Sequence, residues 1–461
     1  MSSACLTGTK RVEYHDKDWV EFCYDKGGAL IEATNQHTIL KFERNPARQI
    51  VKEWQCGHWI ESVYDALGRR THVNSSLGAI IATHRDEMGR SSKITAAQAG
   101  KRAWVAQMRY NELGKETERA MPGGLMSIWL YDATGKAIKH SVANRRRDTR
   151  MRCYEWDVNN KLKRAKNELT GDHTAFSYDD HGYLVASRVN DRYSYIFRYP
   201  DEAGNIYETH EKTDRIYSPG GRLEHTGVNT GELKNKARGG HGKLVTKGTK
   251  YDFDAQGNLI KKETSTGDVW QYLYYSSGML SKVVLPDETE ITFKYDPIGR
   301  RIEKQAAGFT KRFIWDGNHP LHELEGLELV TWLFDDGFVP MAKLTNEGAY
   351  SIIPDYLGTP TEAYSGTGER IWSAELDIYG RLRSLAGDVG FVPFRFQGQY
   401  HDIEIGLYHN RLRYYDPGSG QYTQQVPFGL CPQAAIACYS PNPYSYVRDP
   451  NWQVNPFGGH I

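Results

Sequence analysis

The sequence predicts an all-β fold, a long antiparallel sheet of about 15 to 20 hairpins coiled into a hollow shell or part of one. Three observations predict it. Segments of strict apolar/polar alternation recur along the chain, each pair is joined by an aromatic-Asp-x-x-Gly turn, and the turn glycines fall about 21 residues apart.

One unit shows the grammar. In Glu290-Ile291-Thr292-Phe293-Lys294-Tyr295, the residues Ile291, Phe293 and Tyr295 point one way and Glu290, Thr292 and Lys294 the other. Asp296-Pro297-Ile298-Gly299 then turns the chain into a second strand. Asp accepts backbone amides two positions on, and Gly takes the positive φ that closes a short hairpin loop. The same turn stands at Asp65 to Gly68, Asp132 to Gly135 and Asp254 to Gly257, and at Asn159-Asn160 an Asn replaces the Gly. Turn glycines 257, 278 and 299 are 21 apart, as are 68 and 89, 114 and 135, and 337 and 358. That length provides two strands and two turns, one hairpin per repeat. Such a sheet must twist, and coiling would hide its edges. No helix of three turns is expected; Ala96 to Ala103 is at most a short helical excursion.

Aromatic residues make up 12% of the 461, with 30 Tyr, 11 Trp and 45 Gly, which suits short strands and turns. The 58 Lys and Arg nearly balance 57 Asp and Glu, so neither nucleic acid nor an anionic membrane is an expected partner. No apolar run reaches the roughly 18 residues of a membrane span, and the first residues lack a hydrophobic signal core. The expected location is the cytoplasm of the producing cell, with export by a specialised system. Cys5, Cys23, Cys56, Cys153, Cys431 and Cys438 show no metal-ligand spacing and are expected as free thiols, with a Cys431–Cys438 pair left open.

The repeat resembles the YD repeat of the bacterial Rhs proteins. The similarity is most specific over residues 350–461, where Pro393-Phe394-Arg395-Phe396-Gln397-Gly398-Gln399-Tyr400, Asp402 and Gly406-Leu407-Tyr408-His409-Asn410-Arg411-Leu412-Arg413-Tyr414-Tyr415-Asp416-Pro417 resemble the Rhs-associated core. Three regions are expected: a hairpin shell over 1–350, the last repeats and core over 351–425, and a degenerate autoprotease-like plug over 426–461. The resemblance implies a β-cocoon, capped by the core, that sequesters a toxin polypeptide, as in type VI Rhs effectors, Tc-complex shells and other polymorphic toxins. A second shell half, an immunity protein and a secretion spike component are the further partners it implies. It also implies an aspartic self-protease built from two Asp-Pro-x-Gly segments. Here Val426 and Asn455 occupy the two Asp positions, and neither can exchange the proton that the reaction needs. Asp416 and Asp449 are the fallback carboxylates. With six residues after Asn455, no toxin domain is expected within the sequence.

The remaining motifs point to structure. Arg145-Arg146-Arg147-Asp148-Thr149-Arg150-Met151-Arg152 reads as a solvated loop or surface patch. Gly239-Gly240-His241-Gly242-Lys243 lacks phosphate-loop spacing. His319 and His322 flank Pro320 and read as strand-end residues, and Asp402 as a hydrogen-bonding member of the cap, so no metal or cofactor is expected. The expected function is a structural shell around a toxin polypeptide, not an enzyme. The alternatives are a self-processing aspartic protease with a relocated carboxylate and a surface adhesion or interaction protein.

Overall fold

The turn chemistry organises the molecule. The computed structural model describes residues 8–15, 18–145, 147–190, 195–227, 248–335, 337–425 and 442–459. In it, Asp296 Oδ1 accepts the amides of Ile298 at 3.1 Å and Arg300 at 2.8 Å, and Gly299 sits at φ 78°. Asp65 accepts from Leu67 and Arg69 at 3.0 and 2.9 Å, and Asp132 from Thr134 and Lys136 at 2.8 and 3.0 Å. Asp254 accepts from Asn258 at 2.8 Å. Asn160 stands at φ 66°, so the Asn variant keeps the left-handed geometry. Each hairpin thus carries its own closure. The alternation holds too: Ile291, Phe293 and Tyr295 are at most 3% exposed, whereas Glu290 and Lys294 face solvent.

Consecutive strands pair antiparallel into an 18-stranded sheet running from Gly8–Glu13 to Ile196–Phe197, and then into a 16-stranded sheet from Arg215–Tyr217 to Leu382–Ala386. The one continuous sheet expected from the repeat therefore comes in two pieces. Between them, among the described residues, Tyr199–Pro200 pairs only with Ile206–Tyr207, and Pro200, lacking an amide proton, cannot donate to a ladder. The pairing is linear, and no strand pair among the described residues closes either sheet on itself.

The sheets lie face to face. Ile94, Ala96, Trp104 and Met108 of the first form one apolar cluster with Leu333, Met341, Leu344 and Ile353 of the second, and Trp104 donates its indole N–H to Ser351 Oγ at 2.9 Å. The opposite face of the second sheet carries Phe313, Trp315, Trp332, Ile352 and Trp372, which pack against Val392, Phe394 and Tyr400 of the C-terminal segment. Being covered on both sides, Pro360–Tyr364 is buried at all five residues. The order is outer sheet, inner sheet, C-terminal segment.

As expected, no three-turn helix stands among the described residues: Ser91–Gln98 is a strand that turns into Trp104–Tyr110, and the helical element present is a single 3-10 turn, Pro122–Gly124. Two expectations need correction. The arginine run is not all solvated, because the strand Asp148–Trp156 turns Arg150 inward to 3% exposure and sets Arg152 against Glu375 of the second sheet at 2.5 Å. Cys23 is disulfide-bonded, whereas Cys56 and Cys153 are free. Cys5, Cys431, Cys438, Arg146 and the segment Gly239 to Lys243 lie outside the described residues.

Candidate functional site

The core signature folds into a small sheet of Tyr400–Asp402, Leu407–Asn410, Arg413–Asp416 and Gln421–Tyr422 on the inner sheet. Its arginines grip backbone. Arg395 donates to the carbonyls of Val392 and Phe394 at 2.9 and 2.8 Å, and Arg411 to those of Ile298 at 3.0 Å and Gly299. Arg413 donates to Pro443 and Gly459 carbonyls at 2.8 and 3.0 Å and lies 3.6 Å from the Tyr422 ring centre. The planar fork of guanidinium donors suits such multiple carbonyls. Burial pulls Arg411 and Arg413 down to about 10, against the opposing pull of nearby Asp296 at Arg411.

Asp402 is fully buried, ion-paired to Arg301 and 3.1 Å from Lys304 Nζ. Burial alone would raise its pKa, but the two cations outweigh it and hold the carboxyl at about 2. The tyrosines act as struts: Tyr408 and Tyr415 donate to the carbonyls of Gly380 and Tyr379, each at 2.8 Å, and Tyr400 to Glu323 at 3.1 Å. Gln397 donates to the carbonyl of Leu357. Gly398 has φ 80°, and a Cβ there would sit 2.0 Å from the Pro456 carbonyl oxygen. Gly406 takes φ 68° in the turn before Leu407, and Pro417 follows Asp416 into the next turn.

Of the two positions expected to be a degenerate dyad, only Asn455 is described. Val426 lies outside the described residues. Asn455 is 3% exposed; its side-chain amide donates to the Gly459 carbonyl at 2.7 Å and its own carbonyl accepts from Asn410 at 2.8 Å. Asp416 pairs with Lys262 of the inner sheet at 3.2 Å and accepts the Gly418 amide at 2.8 Å. Asp449 pairs with Lys161 of the outer sheet at 3.5 Å, and burial pushes its carboxyl up. No contact joins Asp416 to Asp449 among the described residues. His322 bonds Thr331 at 2.9 Å and Ser75 at 2.8 Å, and His319 stacks on Phe334.

Sequence reasoning missed the partners of these groups. Arg301 and Lys304 anchor Asp402, and Arg300, bonded to Asp296, also reaches Glu53 of the outer sheet at 2.5 Å. Arg198 holds the carbonyls of Val447 and Arg448 at 2.5 and 2.8 Å. One signal was available: Arg301, Glu303 and Gln305 alternate with Ile302 and Lys304 in a strand whose two faces both carry charge, which a strand with one wet face does not require.

Comparison with known proteins agrees with this geometry. The profile of the Teneurin YD-shell family matches residues 125–430. Double-stranded DNA deaminase toxin A of Burkholderia cenocepacia is 26% identical across 95% of this chain and 33% of its own. Toxin protein Tse5 of Pseudomonas aeruginosa is 31% identical across 61% of this chain and 25% of its own. The crystal structure of TcdB2-TccC3-Cdc42 superimposes with a TM-score of 0.76 at 14% identity, covering 98% of this chain and 27% of that one. The chain thus spans a third or less of the length of these relatives. Repeat turns, stacked antiparallel sheets and the core segment together place the chain in the Rhs/YD-repeat family, with a Teneurin YD-shell at its centre.

Proposed function

We propose that this chain is a structural module of a toxin shell, enclosing a toxin polypeptide as cargo without turning it over and without cutting itself. The observation that carries the reading is the state of the core: Arg413 is bound to backbone carbonyls, Asp402 is ion-paired to Arg301, and Asp416 and Asp449 sit on separate lysines. Aspartic cleavage needs two carboxylates sharing a water. Asn455, with its amide already bound to Gly459, supplies no proton. The shell-type family and toxin-named relatives support the association with a toxin. A second shell half, an immunity protein or a secretion spike component would meet the outer surface, and export by a specialised system fits that assembly.

A polypeptide fused after Ile461 tests both halves of the proposal. It should stay covalently attached through purification and resist added protease. Cleavage near Gly459 would refute the lost dyad, and rapid digestion would refute enclosure. A self-processing reading draws on one observation, the raised pKa of buried Asp449, which is what a general acid requires. If cutting occurs and Asp449→Asn abolishes it, that reading replaces the first.

A further inference from the structure

Both sheets end at the same place. Among the described residues, the last strand of the outer sheet, Ile196–Phe197, pairs only with Leu184–Val189. Among the described residues, the last strand of the inner sheet, Leu382–Ala386, pairs only with Arg370–Leu376. Ile196 from the one, and Arg383 and Ser384 from the other, line a cavity of about 720 Å³ between the sheets. An edge strand presents a row of backbone donors and acceptors without a partner strand, and such an edge is a template for another extended chain. Ser384, Leu385 and Ala386 are exposed, with Leu385 at 41%.

The side chains around the cavity suit a peptide better than a charged small molecule. Glu375 is held between Arg152 and Arg383, Asp377 pairs with Arg381, and Asp355 accepts the backbone amides of Leu357 and Thr359, so these charges already have partners. Tyr154 lines the cavity, is 4% exposed, and its hydroxyl has no hydrogen-bond partner. A buried hydroxyl left this way is costly unless an occupant satisfies it. Phe176 and Tyr356 add apolar wall.

We propose that this cavity takes an extended polypeptide segment, added as a strand to the edge Leu382–Ala386, with a backbone carbonyl accepting from the Tyr154 hydroxyl. The inference rests on the shell reading for the source of that segment, the enclosed cargo, and on the convergence of the sheet ends for its place.

The test uses the full chain fused after Ile461 to an unstructured reporter polypeptide, with a photo-crosslinking residue replacing Ser384 or, as control, Lys41 on the outer face. Crosslinking to the reporter is expected from position 384 and not from position 41. Amide exchange at Leu382–Ala386 should slow by about tenfold or more relative to the unfused chain. A position 384 silent toward the reporter overturns the inference whether or not the reporter resists protease, and so does unchanged exchange. A reporter that is digested freely yet crosslinks from 384 keeps the strand-addition site and removes enclosure, so the two readings fail separately.

Discussion

Replacing Asp402 with Asn isolates the charge that ties the C-terminal segment to the inner sheet. Asn keeps the shape and one acceptor but leaves Arg301 without its carboxylate at 1% exposure. Lys304 retains Glu404 at 2.7 Å, and Arg301 retains only a neutral oxygen, Tyr414 Oη at 3.1 Å. Breaking a buried pair from one side typically costs about 3–5 kcal/mol, and the partners that remain set this case near the lower end, about 3 kcal/mol. Protonating the same carboxyl is a gentler perturbation. Its pKa is lowered from 3.8 to about 2, worth about 2.4 kcal/mol. Because the folded value lies below the unfolded one, this stabilisation is complete above about pH 4 and disappears as pH falls through 2. The assay is urea unfolding of Asp402→Asn, Arg301→Leu and the double variant. The double variant should be less destabilised than the sum of the singles. Strict additivity, or a loss below about 1 kcal/mol for Asp402→Asn, would show that the pair does not tie the segment down.

Further outcomes follow from other positions. Burial lowers His322 and His401 to about 3, so the unfolded chain binds protons that the folded chain refuses, and stability should fall as pH drops from 6.5 toward 3; replacing both with Gln should flatten the melting temperature over that range. Gly299→Val at φ 78° should cost about 1–3 kcal/mol, read by thermal unfolding, and an unchanged melt would refute the turn geometry. Gly398→Ala should be worse than Gly114→Ala: both have positive φ, but a Cβ at 398 meets the Pro456 carbonyl at 2.0 Å and one at 114 meets nothing within 4 Å. Limited proteolysis should then free the C-terminal segment in the first variant and spare it in the second.

The hairpin was readable because its determinants are local. Asp296, Gly299 and the alternation of Ile291, Phe293 and Tyr295 lie within nine residues and need no tertiary partner to be recognised. The inward turn of Arg150 was not readable, since its reason is Thr361, more than two hundred residues away. The same holds for Asp402. Its place in the core pattern was legible, and the strand that bears Arg301 and Lys304 stood out by carrying charge on both faces, but nothing local tied that strand to a carboxylate about a hundred residues away. The break at Pro200 was visible only as a single residue, and the repeat before and after it argued for continuity.

The ties of the C-terminal segment also order events in time. Each hairpin can close as soon as its own turn leaves the ribosome, because its carboxylate and its glycine travel together. The bonds from Arg301 to Asp402, from Lys161 to Asp449 and from Arg198 to Val447 span 101, 288 and 249 residues of sequence. They form last. Until residues 392–459 are made, Arg301 and Lys304 have no Asp402 and the aromatic face around Trp332 and Trp372 lacks its cover. A nascent chain would therefore hold finished hairpins in an unfinished body, and the arrival of the C-terminal segment acts as a completion signal written into the order of synthesis.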